Sequence, residues 1–224
     1  MSAPLLKVCG LRDAATAASA APLAIDYIGF MFVATSKRRV TAEDARVMIE
    51  AMRAAGGRQK FVGVFVDPTI EELEALLADS PLDVLQLHGA ESPAFVRECR
   101  SRFPGVAVWK VMGIAGEAEH GDDAVEARLA PYGDLLDALL LDTFDPVVGG
   151  GTGRTFRWDV IPAYRRWTQA QGIPLFAAGG LHEGNVGELL AAGIVDGVDV
   201  SSGVETDGAK DLDKIRTFVK RVKP

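Results

Sequence analysis

The sequence is poor in cysteine: Cys9 and Cys99 are the two among 224 residues, and they lie far apart. That spacing excludes a disulfide framework and a C-x-x-C metal signature, and it suits a reducing, cytoplasmic setting. Histidine is as scarce. His88, His120 and His182 are too widely separated to suggest a metal constellation, so no metal and no cofactor is expected. No apolar run approaches about 18 residues, so nothing is expected to span a membrane. The opening Met1-Ser2-Ala3-Pro4 lacks a basic stretch followed by an apolar one, so no secretory leader is expected. Excess positive charge is missing too. The net charge of −7 argues against nucleic acid or an anionic membrane as a general partner. A small anionic substrate would need a local cluster of cations and backbone N–H groups. Nucleotide fingerprints are also missing: Gly151-Thr152-Gly153 is followed at the third place by Phe156, and no G-x-x-x-x-G-K-[ST] occurs.

What is present is alternation. Apolar runs rich in Val, Ile, Leu and Phe alternate with amphipathic, alanine-rich helical patterns. Strands are expected at 5–9, 25–32, 61–66, 84–87, 106–112, 138–141, 174–178 and 198–200. Helices are expected between them, at 13–20, 42–55, 70–78, from Pro93 onward, 122–129, 158–169 with an interruption at Pro162, 183–192 and 211–222. Thr41 with Glu43 and Asp44, and Ser92 before Pro93, read as capped helix starts. Near-continuous apolar strands alternating with helices mean a parallel sheet covered by helices, an α/β fold. Eight such units without a break in composition favour one (β/α)8 TIM barrel domain over residues 1–224, with an open doubly wound sheet as the alternative.

In a barrel, active-site residues sit at the C-terminal ends of the strands. Polar residues collect there repeatedly: Cys9, Arg38, Gln86, His88, Lys110, Asp142 and Ser201. Residues two apart in a strand share a face, so Lys7 lies on the same side as Cys9, and Gln86 on the same side as His88. A cation beside a thiol lowers its pKa, although a buried structural Cys beside a snorkelling Lys fits the same stretch. Phosphate is expected at the loops after strands seven and eight, where Gly179-Gly180 and Ser201-Ser202-Gly203 offer N–H and hydroxyl donors. The Gly149–Gly153 run, with Gly150 and Gly151, sits in a long loop after strand six and reads as a lid over the same ligand.

Segments in order over nearly the whole chain resemble the phosphoribosylanthranilate isomerase family. They include Lys7-Val8-Cys9-Gly10, Gly29-Phe30-Met31-Phe32 with Ser36-Lys37-Arg38, and Val62-Gly63-Val64-Phe65. Gln86-Leu87-His88-Gly89, Leu140-Leu141-Asp142, Ala178-Gly179-Gly180-Leu181 with Asn185-Val186, Asp199–Glu205 and Gly208–Asp211 continue the series. Val33-Ala34-Thr35 departs from the family's usual aromatic and proline, and the Gly-rich loop is one residue longer than usual. The resemblance implies an Amadori rearrangement of an aminoaldose phosphate in tryptophan biosynthesis, with Asp142 as general acid and Cys9 as general base. It implies that Arg38 meets the anthranilate carboxylate, whose two oxygens suit a planar fork. The implied partner is a small phosphorylated substrate; monomer and homodimer both stay open. Other phosphate-binding barrels are the rivals: a sugar-phosphate epimerase, the histidine-pathway isomerase, or a barrel that binds a ligand without turning it over. Cys9 in the strand-one position argues against the histidine-pathway isomerase, and Cys9 with Asp142 against a barrel that only binds. His120 reads as exposed, His182 as shaping a turn, Cys99 as packing, and Lys37 and Arg39 as solvated.

Overall fold

The computed structural model describes residues 3–114, 121–143 and 158–224. Eight parallel strands close into a barrel: β1 (Leu5–Cys9), β2 (Tyr27–Met31), β3 (Lys60–Phe65), β4 (Val84–Leu87), β5 (Ala107–Ile114), β6 (Ala138–Thr143), β7 (Leu175–Ala177) and β8 (Gly197–Val200). β1 pairs with both β2 and β8, so no edge remains, and the open-sheet alternative is excluded. Helices follow the strands: α1 (Ala14–Ala20), α2 (Ala42–Ala54), α3 (Ile70–Asp79), α4 (Pro93–Arg102), α5 (Asp122–Leu129), α6 (Ile161–Gln171), α7 (Val186–Ala191) and α8 (Leu212–Val222).

Local chemistry explains the helix starts. Thr41 and Asp44 exchange side-chain and backbone hydrogen bonds in a capping box, and Thr69 and Glu72 repeat it for α3. Ser92 caps α4 ahead of Pro93, and Asp211 caps α8. Pro162 does not interrupt its helix as expected. It sits in the first turn of α6, where its missing N–H has no intrahelical partner to lose. A second departure follows β8. The loop contains a 3-10 turn (Ser202–Val204) and a two-stranded antiparallel hairpin, β9 (Glu205–Thr206) and β10 (Ala209–Lys210).

Two apolar regions hold the barrel. The larger lies between strands and helices and includes Leu6, Val8, Ile28 and Phe30. The smaller fills the barrel itself with Val62, Val84, Trp109, Leu140 and Phe176. Tyr27, Trp109 and Phe176 pack there with ring centroids 4.7–5.9 Å apart, so the centre is a closed aromatic floor.

Lys110 corrects its expected place among the mouth residues. Trp109 and Val111 face the barrel interior, so Lys110 faces the helix layer. Its ammonium is buried and donates to Glu91 Oε2 at 3.0 Å, to the carbonyl of Gly89 at 2.8 Å and to that of Leu87 at 3.3 Å. Glu91 also accepts from the backbone N–H groups of Asp67 and Gly89. This pair ties the β3–α3 and β4–α4 loops together. Lys110→Met would leave the Glu91 carboxylate buried and uncompensated, which costs about 3–5 kcal/mol. Urea unfolding is expected to show that loss, with partial recovery in Lys110→Met/Glu91→Gln; an unchanged midpoint in Lys110→Met would mean the pair contributes nothing.

Candidate active site

Period-2 alternation places Lys7 and Cys9 of β1 on the interior face, with Gln86 and Asp142 facing the same space from β4 and β6. Room for them comes from Gly29 of β2. A Cβ there would fall 2.7 Å from Cys9 Sγ and 3.1 Å from Lys7 Nζ. Lys7 has no exposed surface, and its ammonium donates to Asp199 Oδ2 at 2.7 Å, directly across the β1–β8 pairing. Burial alone would lower the Lys7 pKa, but Asp199 and Cys9 outweigh it and hold the ammonium above its usual range.

The expected lowering of the Cys9 pKa is corrected. Burial is the larger influence and pushes the substrate-free thiol up; Lys7 and then Lys210 oppose it, while Asp199 adds to it. The sequence shows the neighbouring cation but not the desolvation.

Arg38 is buried rather than solvated, whereas Lys37 and Arg39 are exposed. Its Nε donates to Glu205 Oε1 at 2.6 Å and its Nη2 to Oε2 at 2.9 Å. Lys210 donates to the same Glu205 Oε1 at 2.6 Å and to the carbonyl of Ser201 at 2.9 Å. Burial would raise the Glu205 pKa, but hydrogen bonds from Arg38 and Lys210 bring it down to about 2. Asp199, Glu205 and Lys210 were missed as site residues. The last two had a legible signal: Asp207-Gly208 is a two-residue hairpin turn, and both residues adopt positive φ.

On the other side of the mouth, His88 Nε2 lies 3.4 Å from Asp142 Oδ2. Burial, with help from Lys110 and Lys7, lowers the His88 pKa to about 4, so its imidazole is neutral at pH 7. Below it, Gln86 is buried, and its Oε1 has no hydrogen-bond partner among the described residues. Cys99 is buried inside α4, and His182 shapes the β7–α7 turn by accepting from the Gly184 N–H. His120 lies outside the described residues.

The two expected phosphate loops lie against each other. Gly179 and Gly180 both take positive φ, 82° and 62°, which glycine adopts without strain. Asn185 fixes that turn by donating to the Gly180 carbonyl at 3.0 Å and accepting from the His182 N–H. A Cβ on Gly203 would fall 1.9 Å from the Leu181 carbonyl oxygen, so the turn holding Ser202 and Gly203 packs onto the β7–α7 loop. The Ser201 hydroxyl donates to the Cys9 carbonyl at 3.0 Å, tying β8 to β1. Gly150 and Gly151 lie outside the described residues.

A separate cavity of about 490 Å³ opens at the opposite, N-terminal end, lined by residues such as Asp26, Tyr27 and Arg58. It holds none of the mouth residues. No group of three potential metal ligands occurs among the described residues.

His88 gives this site a measurable property. In the unfolded chain its pKa returns to the ordinary 6.5. Between pH 6.5 and about 4 the unfolded chain therefore binds a proton that the folded chain refuses, and stability falls as the pH drops through that window. The slope is up to about 1.4 kcal/mol per pH unit. NMR titration, with His88→Gln to identify its resonance, is expected to show no transition of the His88 ring near 6.5 in the folded chain. A His88 transition at that value would remove the neutral imidazole from the site.

The family model described as N-(5'-phosphoribosyl)anthranilate (PRA) isomerase matches residues 6–221. The chain is 46% identical to the N-(5'-phosphoribosyl)anthranilate isomerase of Brevibacillus brevis, across 97% of this chain and 93% of that protein. Its fold resembles the phosphoribosyl anthranilate isomerase of Thermotoga maritima with a TM-score of 0.81 at 32% identity, covering 98% of each chain. It also resembles a phosphoribosyl anthranilate isomerase solved with reduced 1-(o-carboxyphenylamino)-1-deoxyribulose 5-phosphate, with a TM-score of 0.77 at 30% identity over 98% of each chain. A closed barrel with its polar side chains gathered at one mouth, and these matches across nearly its whole length, lead to one conclusion: the chain belongs to the family of N-(5'-phosphoribosyl)anthranilate isomerases, enzymes of tryptophan biosynthesis.

Proposed function

We propose that this chain, as one cytoplasmic barrel domain, converts N-(5-phosphoribosyl)anthranilate to 1-(2-carboxyphenylamino)-1-deoxyribulose 5-phosphate without a metal. Asp142 is the general acid and Cys9 the general base. The observation that carries this reading is the placement of Cys9 and Asp142 at the mouth of one closed barrel, on strands three places apart around it. Each has a polar companion, Lys7 beside Cys9 and His88 beside Asp142. The related enzyme's bound aminoketose phosphate supports the same substrate class.

The reaction needs no net gain or loss of electrons. Asp142 gives its proton to the ribose ring oxygen, the C1–O bond breaks, and the anilino nitrogen lone pair forms the C1–N double bond. Cys9 thiolate then takes the proton from C2. The C2–H electrons form a C1–C2 double bond, and the C=N electrons return to nitrogen. The enolamine becomes the ketone when C1 gains a proton and the C2 hydroxyl loses one. Neutral His88 turns its Nε2 to Asp142: as the Nδ1–H tautomer it can accept from the acid form, and as the Nε2–H tautomer it can donate to the carboxylate. Raising the thiol pKa lowers the thiolate fraction but strengthens the thiolate as a base.

Arg38 holds the anthranilate carboxylate. Backbone N–H groups around Gly180, Ser202 and Gly203 hold the phosphate.

Loss of phosphoribosylanthranilate fluorescence tests the whole reading; purified protein is expected to turn substrate over equally with and without a chelator. Absence of turnover would refute the activity, and chelator-sensitive turnover its metal independence. Cys9→Ser and Asp142→Asn are each expected to lower kcat by about 10²-fold or more while a product analogue still binds. Folded Cys9→Ser with near-normal kcat would reduce Cys9 to packing.

Gly180→Asp adds a charge and a Cβ where the phosphate is placed. Calorimetry is expected to show weakened binding of a phosphorylated product analogue, with melting temperature changing much less. Unchanged affinity would move the phosphate elsewhere.

A further inference from the structure

The hairpin between β8 and α8 belongs to no strand of the barrel, yet it carries the carboxylate that occupies Arg38. Its Asp207-Gly208 turn sets the register so that Glu205 and Lys210 stand directly opposite each other. Glu205 then lies between two cations, Arg38 on one side and Lys210 on the other. Arg12 secures the hairpin tip from α1's side of the barrel: one guanidinium nitrogen donates to the Gly208 carbonyl at 2.7 Å, the other to the Lys37 carbonyl at 3.1 Å. The hairpin and the loop carrying Arg38 are therefore fastened together twice.

We propose that Glu205 is a positioning residue that makes the site selective for a substrate carrying an aromatic carboxylate. The inference rests on the reading that Arg38 holds that carboxylate. A guanidinium has two edges that can each meet a carboxylate. Glu205 takes the edge formed by Nε and Nη2, which leaves Nη1 and the second Nη2 hydrogen for a ligand. The aliphatic stem is fixed as well. A Cβ on Gly10 would fall 2.7 Å from Arg38 Cδ, so the stem lies on the backbone that follows Cys9. A guanidinium held at both stem and head loses little freedom when a ligand arrives, and that preorganisation becomes affinity. Lys210 matters because it holds Glu205 in place and prevents the carboxylate from following Arg38 outward. Arg38 thus acts as a fixed planar fork next to Cys9, rather than as a mobile surface charge.

The test compares kcat/KM for the anthranilate substrate with that for N-(5-phosphoribosyl)aniline, which lacks the carboxylate. Glu205→Gln is expected to lower the ratio of the two about tenfold, the size of one misaligned charge-assisted contact. The aniline substrate loses less than the anthranilate substrate does. Arg38→Met is expected to lower the ratio at least as far, and Glu205→Gln added to Arg38→Met to change it no further. If Arg38→Met leaves the ratio intact, the carboxylate reading of Arg38 fails. If Arg38→Met lowers it but Glu205→Gln does not, the positioning role alone fails. A structural role would lower both substrates equally and leave the ratio as in the wild type. Should Glu205→Gln not fold, Lys210→Met opens the same bracket from its other side and is expected to lower the same ratio; a folded Lys210→Met with a wild-type ratio overturns the proposal.

Discussion

A lysine with no exposed surface, at the seam where β1 meets β8, governs the rest of the mouth. Burying an ammonium costs several kcal/mol unless a counter-charge accompanies it. Asp199 supplies that charge from the adjacent strand, and the closure of the barrel brings the two within 2.7 Å. The aromatic floor of Tyr27, Trp109 and Phe176 fills the barrel centre with apolar rings, leaving the polar residues to cluster towards the mouth. Gly29 lacks a side chain because Lys7 and Cys9 already fill the space where one would project. Strand alternation then leaves no choice about Cys9, which shares the interior face with the buried lysine and lies one layer above it, nearer the mouth.

In the proposed reading, the charges around that thiol bear on how a group pushed up by burial could act as a base. Three cations, Lys7, Lys210 and Arg38, act on it together with the Asp199 carboxylate, and Glu205 pairs with two of those cations. A neutral thiol leaves this set with one positive charge in excess; the thiolate balances it. Deprotonation therefore pays for part of its own desolvation penalty through charge balance. The same arrangement couples Cys9 to the Arg38 cluster, since Arg38 and Lys210 interact with Cys9 electrostatically and with Glu205 by direct hydrogen bonds.

The barrel was legible because its signals are local. Apolar runs of strand length, the helix caps at Thr41 and Ser92, and the Gly-Gly and Ser-Ser-Gly strand ends all lie within a few residues of what they specify. Cys9, Asp142 and His88 were legible as mouth residues for the same reason. Lys110 was misplaced because the facing of a side chain depends on the register of the whole strand, and Trp109 with Val111 claims the interior. Asp199 was missed because its importance depends on Lys7, distant in sequence and adjacent only once the barrel closes. Burial is likewise a property of the closed barrel. That is why the cation beside Cys9 could be read from the chain while the upward direction of its pKa could not.

In the proposed reading the two anionic ends of the substrate are held by different chemistry, and each choice imposes its own constraint on the chain. A tetrahedral phosphate suits several converging N–H groups, which need exposed backbone. Hence Gly179 and Gly180 take positive φ, and Gly203 packs where any Cβ would collide with the Leu181 carbonyl. A planar carboxylate suits a guanidinium fork, which needs a long side chain held still. Holding it still requires a counter-carboxylate that does not also leave with the ligand, and Lys210 restrains Glu205 in that role. The backbone site is built within the β7 and β8 loops themselves. The side-chain site cannot be, because Arg38 comes from the far side of β1, beyond β2, and its partner must reach it from beyond β8. The hairpin β9–β10 spans that gap, which accounts for an insertion that the eight-fold repeat of strand and helix would not otherwise contain.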